Sequence, residues 1–219
     1  MAISNNSTGL RPGVCTSTTR PTAPYEGQTI YETDTDLTYV WGGSAWQQVS
    51  GGTAVGNSGL VYITSTSLSG SSVSVANCFN STYENYLILA NNLVTAANCT
   101  LLMQFATGST DTSANYGRQR LYVQLAAVGG TGSTGNTSIG VGFGVASNEN
   151  FLTIQVSQPN LARKTFTISQ ENYQDTLQAN IEYNHGLLST TTQYTGFVLT
   201  ASGTTFTSGT LRIYGYRQA

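Results

Sequence analysis

Thr210-Leu-Arg-Ile-Tyr-Gly-Tyr-Arg217, close to the end of the chain, alternates residue by residue between two kinds of side chain. Successive side chains of a β-strand point to opposite faces, so this run predicts a strand with one largely aliphatic face. The other face carries aromatic rings and a cation, from Arg212, Tyr214 and Tyr216. Tyr and Arg are enriched at interfaces, so this face suits a subunit contact; an ordinary sandwich strand with tyrosines at its rim fits equally well.

Short runs of the same kind recur along the whole chain. They are rich in Val, Ile, Thr and Tyr, they are separated by Gly, Asn and Ser clusters, and helical periodicity is almost absent, which together predict an all-β fold. The clearest predicted strands are 60–66, 85–95, 99–107, 119–128, 138–146, 151–157, 163–169, 194–201 and 210–217.

The composition favours a folded, weakly charged protein. Charged residues make up only 8% of the 219 residues, against about a quarter in an average soluble domain. Tyr occurs 13 times and hydrophobic residues reach 39%, which is enough for a core. The net charge is −2, with one lysine, Lys164, and scattered arginines. No basic stripe is therefore available for phosphates, and we expect no nucleic-acid partner.

The sequence shows neither a membrane segment nor a secretion signal. No apolar run approaches the roughly 18 residues of a membrane span, and residues 1–13 lack the basic and apolar regions of a signal peptide. We therefore expect a protein made in a cytoplasm, without a membrane partner. Three cysteines without a C-x-x-C pair, Cys15, Cys78 and Cys99, predict buried or half-buried free thiols.

The N-terminal part differs in composition from the rest. Residues 1–24 hold three of the four prolines and few core-forming residues, which predicts an extended arm. Residues 25–49 contain three short strand-like runs joined by tight turns, which predict a small β-meander. A Gly- and Ser-rich linker at 51–59 follows it. The predicted domains are therefore the arm and meander at 1–50 and a β-sandwich at 60–219.

The meander is too small to be stable through its own core. Twenty-five residues bury little surface, so Trp41 and Trp46, the only tryptophans of the chain, are expected to pack against a second copy or another protein.

The stretch from Arg11 to Asp36, closing on Ser44-Ala-Trp46, combines a proline-marked arm with Gly27-Gln-Thr-Ile-Tyr-Glu-Thr-Asp34 and a glycine-rich turn before Ala-Trp. It resembles a recurrent N-terminal module of tailed-phage virion proteins. The remainder, which ends in Gly209-Thr-Leu-Arg-Ile-Tyr-Gly-Tyr-Arg217, is more loosely similar to the C-terminal domains of phage fibre, spike and head-decoration proteins.

This resemblance implies a jelly-roll-like antiparallel sandwich that projects from the virion and often assembles as a trimer. The arm and meander would attach the chain to other virion proteins. The residues expected at this attachment are Tyr25, Gln28, Tyr31, Trp41 and Trp46. The family brings neither catalytic residues nor a cofactor.

Four patterns could carry chemistry, and each has a simpler interpretation. The run from Gly130 to Thr137 has phosphate-loop glycine spacing, but Asn136 stands where the lysine is needed, so we expect a mobile surface loop. His185, the only histidine, is expected in a turn or pocket rather than in a triad or a metal site.

The two remaining patterns involve carboxylates. Glu32, Asp34 and Asp36 alternate around a turn but lack the rest of a calcium loop, so a solvated turn is favoured and no metal is expected. Glycan hydrolysis needs two carboxylates at a fixed separation. The sandwich offers six that do not pair in sequence, so scattered, solvated carboxylates are expected: Glu84, Asp111, Glu149, Glu171, Asp175 and Glu182.

The sequence therefore predicts a non-enzymatic virion structural protein. The alternative is a module that binds a host receptor or glycan through exposed rings and amides. Candidates for such rings, by residue type only, are Tyr116, Tyr122, Tyr173, Tyr183 and Tyr194. A polysaccharide-degrading enzyme is the least favoured hypothesis.

Overall fold

The computed structural model describes residues 12–50, 59–124, 127–146, 148–175 and 178–217. Within these ranges the chain forms strands and no helix, so the predicted all-β class is confirmed. No helix in this part of the chain is long and apolar enough to cross a membrane. The chain divides into two compact units, Met1–Gly56 and Asn57–Ala219.

The N-terminal unit is one four-stranded sheet. Its strands, in spatial and sequence order, are β1 Gly13–Cys15, β2 Thr29–Glu32, β3 Leu37–Trp41 and β4 Trp46–Ser50. Strands β2 to β4 form the predicted antiparallel meander. The arm also contributes, because β1 pairs in parallel with β2 and places Val14 opposite Tyr31. Residues 1–11 of the arm and 51–58 of the linker lie outside the described residues.

This sheet has almost no core of its own. Among its described residues, only Ile30 and Glu32 are buried, at 1% and 0% exposure. A four-stranded sheet with so few buried side chains gains little hydrophobic stabilisation within one chain.

The second unit contains two antiparallel sheets. Its strands are β5 Leu60–Ser67, β6 Ser72–Val75, β7 Asn85–Thr95, β8 Cys99–Thr107, β9 Ser109–Thr110, β10 Tyr116–Gln124, β11 Ala127–Asn136, β12 Ile139–Gly144, β13 Asn150–Ser157, β14 Thr165–Asp175, β15 Gln178–Leu188, β16 Gly196–Ala201 and β17 Phe206–Tyr216. The large sheet has the order β11-β10-β15-β14-β13-β7-β17-β5, and the small sheet has the order β12-β8-β16-β6 with β9 beside β8.

Eight of these strands have the connectivity of a jelly roll. The chain passes from the large sheet to the small one at β5–β6, β7–β8, β11–β12 and β15–β16, and back at β6–β7, β9–β10, β12–β13 and β16–β17. The resulting layers are β13-β7-β17-β5 and β12-β8-β16-β6, two four-stranded sheets face to face. The predicted jelly-roll-like sandwich is therefore confirmed.

Two inserted hairpins enlarge one sheet of this jelly roll. The β10–β11 hairpin lies between β8 and β12 in sequence, and the β14–β15 hairpin lies between β13 and β16. Both join the large sheet beyond β13 and extend it to eight strands. We call β10, β11, β14 and β15 the extension.

Several predicted strands need correction. The run 119–128 is not one strand, because it spans parts of the antiparallel strands β10 and β11. The stretch from Gly130 to Thr137 was expected to be a loop, yet most of it is β11, hydrogen-bonded to β10. Strands β6 and β15 were not predicted.

The core lies between the two sheets and is centred on packed aromatic rings. Phe79 contacts Tyr86 and Phe197, with ring centroids 4.7 and 5.8 Å apart. Cys78 and Cys99 are buried and Cys15 is half-buried, so the predicted free thiols are confirmed. Burial raises the pKa of the Cys78 thiol to about 12.

Candidate functional site

Three of the predicted attachment residues support the turns of the N-terminal unit. The Gln28 side-chain oxygen accepts a hydrogen bond from the Tyr25 amide at 3.3 Å. The Tyr31 hydroxyl donates to Asp36 at 2.7 Å. Tyr25 is 71% exposed, so it is the member of this set that offers most surface to a partner.

The two tryptophans pack against each other. Trp41 on β3 lies opposite Trp46 on β4, and their rings meet edge to face with centroids 5.5 Å apart. Such a cross-strand aromatic pair stabilises the hairpin by about 0.2–1 kcal/mol. Both rings remain half-exposed, and their contact with a partner stays a prediction.

The carboxylates of the same unit each accept hydrogen bonds from a different donor. Glu32 accepts from the Arg20 guanidinium, Asp34 from Ser17, and Asp36 from Tyr31. The hydrogen bonds from Ser17 hold the pKa of Asp34 below its usual value. The three side chains therefore serve as separate anchors for the turn. The described residues contain no cluster of three His, Cys, Asp or Glu side chains that could share a metal ion.

Arg20 fastens the arm to the sheet. Its guanidinium pairs with the buried Glu32 and lies 4.4 Å from the centroid of the Tyr39 ring. The hydrogen bond from Arg20 lowers the pKa of Glu32, and Thr35 donates to the second oxygen at 2.8 Å. The arm is thus fixed by one cation that bridges a carboxylate and an aromatic face.

Replacing Arg20 by Gln should loosen this arm. The change leaves Glu32 buried without its guanidinium, so we expect thermolysin to cleave residues 12–28 several-fold faster than in the unchanged chain. Mass spectrometry of the fragments measures the rate. Thr22→Ala, an exposed change in the same segment, should leave it unaltered; equal rates for the two variants would contradict the role of Arg20.

The predicted interface strand has the two faces that the sequence indicated. Leu211 and Ile213 are fully buried, whereas the side chains of Arg212, Tyr214 and Tyr216 are half-buried or exposed on the opposite face. β17 lies between β7 and β5, so these side chains belong to an open sheet face and not to an edge. Tyr214 packs edge to face on Tyr62, with centroids 5.8 Å apart.

The outward face of the large sheet, which we call the outer face, carries a group of large exposed apolar side chains over the extension and β13, among exposed polar residues such as Gln119 and Gln170. Along β14 the inward positions are polar, while Phe166 and Ile168 point outward and are 51% and 45% exposed. The same inversion occurs on β15. The large apolar side chains exposed on this part of the outer face are Leu121, Val128, Phe151, Phe166, Ile168, Ile181 and Tyr183.

Sequence reasoning missed this surface, although its signal was present. The predicted strand 163–169 alternates Thr with Phe166 and Ile168, but alternation alone does not tell which set points into the core.

The inward face of the extension is polar because it lies against a sheet edge. Among the described strands β12 pairs with β8 alone, so its other edge presents unpaired peptide groups to the large sheet. The Phe143 amide donates to Glu171, Ser169 donates to the Val141 carbonyl at 2.6 Å, and the Asn150 amide group donates to the Phe143 carbonyl at 3.0 Å. Side chains of the large sheet thus replace the missing neighbouring strand.

Two carboxyl groups meet in this polar layer. Glu171 on β14 lies directly opposite Glu182 on β15, and they are 0% and 2% exposed. Arg120 Nη2 lies 2.6 Å from one oxygen of Glu182, and Asn184 donates to the other at 2.9 Å. Burial raises the pKa of Glu171 well above its usual value, and the nearby Glu182 raises it further.

The structure therefore brings together two of the six carboxylates considered for glycan hydrolysis, but it covers them with β12. A Cβ atom at Gly142 would lie 2.8 Å from Glu171 Oε2, so the β12 backbone sits directly on the carboxyl group. In this arrangement a substrate does not reach the pair. The other four carboxylates lie apart from this pair. Glu84 and Glu149 are exposed, Asp111 accepts a hydrogen bond from the Tyr194 hydroxyl, and the Asp175 side chain lies outside the described residues.

The other sequence candidates for chemistry are mostly placed elsewhere than expected. His185 lies in the middle of β15 and is exposed on the outer face, so the prediction of a turn or pocket was wrong. The stretch from Gly130 is an extended strand, a backbone that does not wrap a phosphate. Of the tyrosines, Tyr183 is exposed and Tyr122 lies under Arg120, 4.6 Å from ring centroid to guanidinium. The other three are buried: Tyr116, Tyr173 and Tyr194.

Comparison of the chain with protein-family models, with curated proteins and with solved structures gives no match.

Proposed function

We propose that the chain is a non-enzymatic structural subunit of a tailed-phage virion, either a tail fibre or spike or a head-decoration protein, and that it forms a homo-oligomer, with a trimer favoured. The observation that carries the proposal is the group of large exposed apolar side chains on the outer face of the large sheet. A sheet with apolar side chains on its open face needs a cover, and exposed apolar patches of this kind mark protein interfaces.

A second copy is the cover that this face fits best. The outward positions of the described strands include Arg212 and His185 but no Asp or Glu, so two such faces meet with little charge repulsion. The eight strands hold 8 to 11 residues each, so at about 3.3 Å per residue and about 4.8 Å between strands the sheet presents roughly 1,100 Å². This exceeds the roughly 800 Å² that each partner contributes to a standard interface, so the face is large enough for one.

The N-terminal unit is proposed as the attachment segment. Among the described residues of this unit only two side chains are buried, while Val14, Tyr25 and Val49 are 68%, 71% and 57% exposed. A sheet with so few buried and several exposed apolar side chains gains most of its stability when another protein covers it.

The non-enzymatic part of the proposal is supported by the buried carboxyl pair. Glu171 accepts a hydrogen bond from the edge of β12, and Glu182 pairs with Arg120. A structural role therefore accounts for both carboxyl groups without a catalytic one. Catalytic carboxylates must instead face a substrate cleft.

The attachment role can be tested by deleting residues 1–50. We expect residues 51–219 to remain a soluble, folded sandwich, because the second unit has its own core. When the host cells supply only the truncated chain, we expect the purified particles to lack it. Immunoblotting of the particles measures incorporation. Normal incorporation of the truncated chain would contradict the assignment.

A further inference from the structure

One groove in the sandwich has the chemistry of a binding site for an anion. It lies where the β10–β11 hairpin meets the start of β12, beside β8, and has a volume of ≈ 360 Å³. Its lining combines one cation with hydroxyl, amide and glycine backbone groups and one apolar side chain, including Leu102, Arg118, Asn136, Thr137, Ser138 and Gly140.

The cation in this groove has no partner. Arg118 is half-buried on the inward face of β10 and makes no side-chain hydrogen bond or ion pair within the described part of the chain. Its neighbour on the same face, Arg120, is by contrast paired with Glu182. A half-buried guanidinium with five donors and no acceptor is a ready site for a carboxylate or phosphate.

The groove is also held in shape by its surroundings. The Arg118 guanidinium lies against the backbone of Gly140, where any side chain would overlap Nη1. The Asn136 amide group donates to Ser133 at 2.8 Å, and Gln104 donates to the Thr137 carbonyl at 2.9 Å. The hydroxyls of Thr137 and Ser138 make no hydrogen bond among the described residues and remain available.

We propose that this groove binds an acidic monosaccharide unit, with its carboxylate on Arg118 and its hydroxyls on Thr137, Ser138 and Asn136. The size lies at the low end of the range for ligand sites, about 300–1,000 Å³, which suits one sugar residue. Hydroxyl and amide groups beside the cation favour a hydroxyl-bearing ligand over a bare anion. This activity goes beyond the proposed assembly role and does not depend on it.

The experiment compares methyl glucuronide with methyl glucoside, which differ only at C6, where the glucuronide carries a carboxylate and the glucoside a hydroxymethyl group. Saturation-transfer-difference NMR on the full chain, with each sugar up to about 20 mM, detects binding with Kd values near 1 mM. We expect saturation transfer to the glucuronide and not to the glucoside. Arg118→Gln should weaken the binding about tenfold or more, whereas Arg163→Gln, an exposed arginine in the β13–β14 turn, should bind as the unchanged chain does.

Other outcomes overturn the proposal. They are equal binding of both sugars, unchanged glucuronide binding by Arg118→Gln, or binding of inorganic phosphate without the glucuronide, which would make the groove a simple anion site. If Arg118→Gln unfolds, Ser138→Ala is the second variant, and an unaltered affinity for it likewise counts against the site. Sedimentation of the unchanged chain reports separately on assembly.

Discussion

Ile168→Glu should convert the proposed oligomer into a monomer. The side chain lies near the centre of the extended sheet, on the outer face, and is 45% exposed in the isolated chain. In an assembly it would be covered, and a carboxylate buried there without a partner costs several kcal/mol. A loss of about 3 kcal/mol weakens association more than a hundredfold. Sedimentation velocity at micromolar concentration measures the shift.

The choice of variants distinguishes a loss of association from a loss of folding. Ile168 points away from the core, so the free energy of unfolding of the monomer should change by about 1 kcal/mol or less. Phe166→Glu, at 51% exposure on the same strand, should give the same monomer. Ser74→Glu is the matched control, because it places the same charge on the exposed face of β6 in the small sheet. A monomeric unchanged chain, or an oligomer that survives both variants on β14, would contradict the proposed interface.

The strands that could be predicted from sequence are those with one apolar face turned inward. β7 and β8 were predicted with the bounds that the structure shows, and β17 with the correct pair of faces. In each of them hydrophobic alternation and core burial coincide, because the partner sheet of the same chain covers the apolar side. Local pattern and tertiary environment then agree.

The orientation of the extension strands could not be predicted, because there hydrophobic alternation and core burial disagree. In β15 the inward residues are Asn180, Glu182 and Asn184, while Ile181 and Tyr183 point outward. Nothing in the local sequence indicates that these inward residues will face the unpaired edge of β12. β11 was missed for a different reason, since its Gly-, Ser- and Thr-rich sequence is typical of loops and only pairing with β10 makes it a strand.

The carboxyl pair shows the same limit at the level of a site. Glu171 and Glu182 are eleven positions apart, and only the register of the β14–β15 hairpin makes them neighbours. The sequence between the two strands has no Asn-Gly or Asp-Gly signal that would fix that register in advance. Likewise, Arg118 is one of several scattered arginines, and what distinguishes it is its place in the groove beside β12, where it has no ion-pair partner among the described residues.

Replacing Glu171 by Gln should stabilise the sandwich at neutral and alkaline pH and remove part of its pH dependence. Folded Glu171 keeps its proton to a higher pH than in the unfolded chain, where it ionises near pH 4.5. Above that value the folded state binds more protons than the unfolded state, so the free energy of unfolding falls as the pH rises toward the folded pKa. Gln keeps an oxygen for the Phe143 amide and carries no charge to bury.

The measurement is the difference in unfolding free energy between Glu171→Gln and the unchanged chain, from urea titrations between about pH 4 and pH 9. Below about pH 4.5 both forms are neutral at residue 171 in either state, so the difference should be small; above it the variant should gain stability steadily, by about 1.4 kcal/mol for each unit by which the folded pKa is raised. Glu149→Gln removes the same charge from an exposed site and should show no such rise. A flat difference for Glu171→Gln would mean that the carboxyl group is ionised beneath β12, which would reopen its assignment as a purely structural cap for that strand.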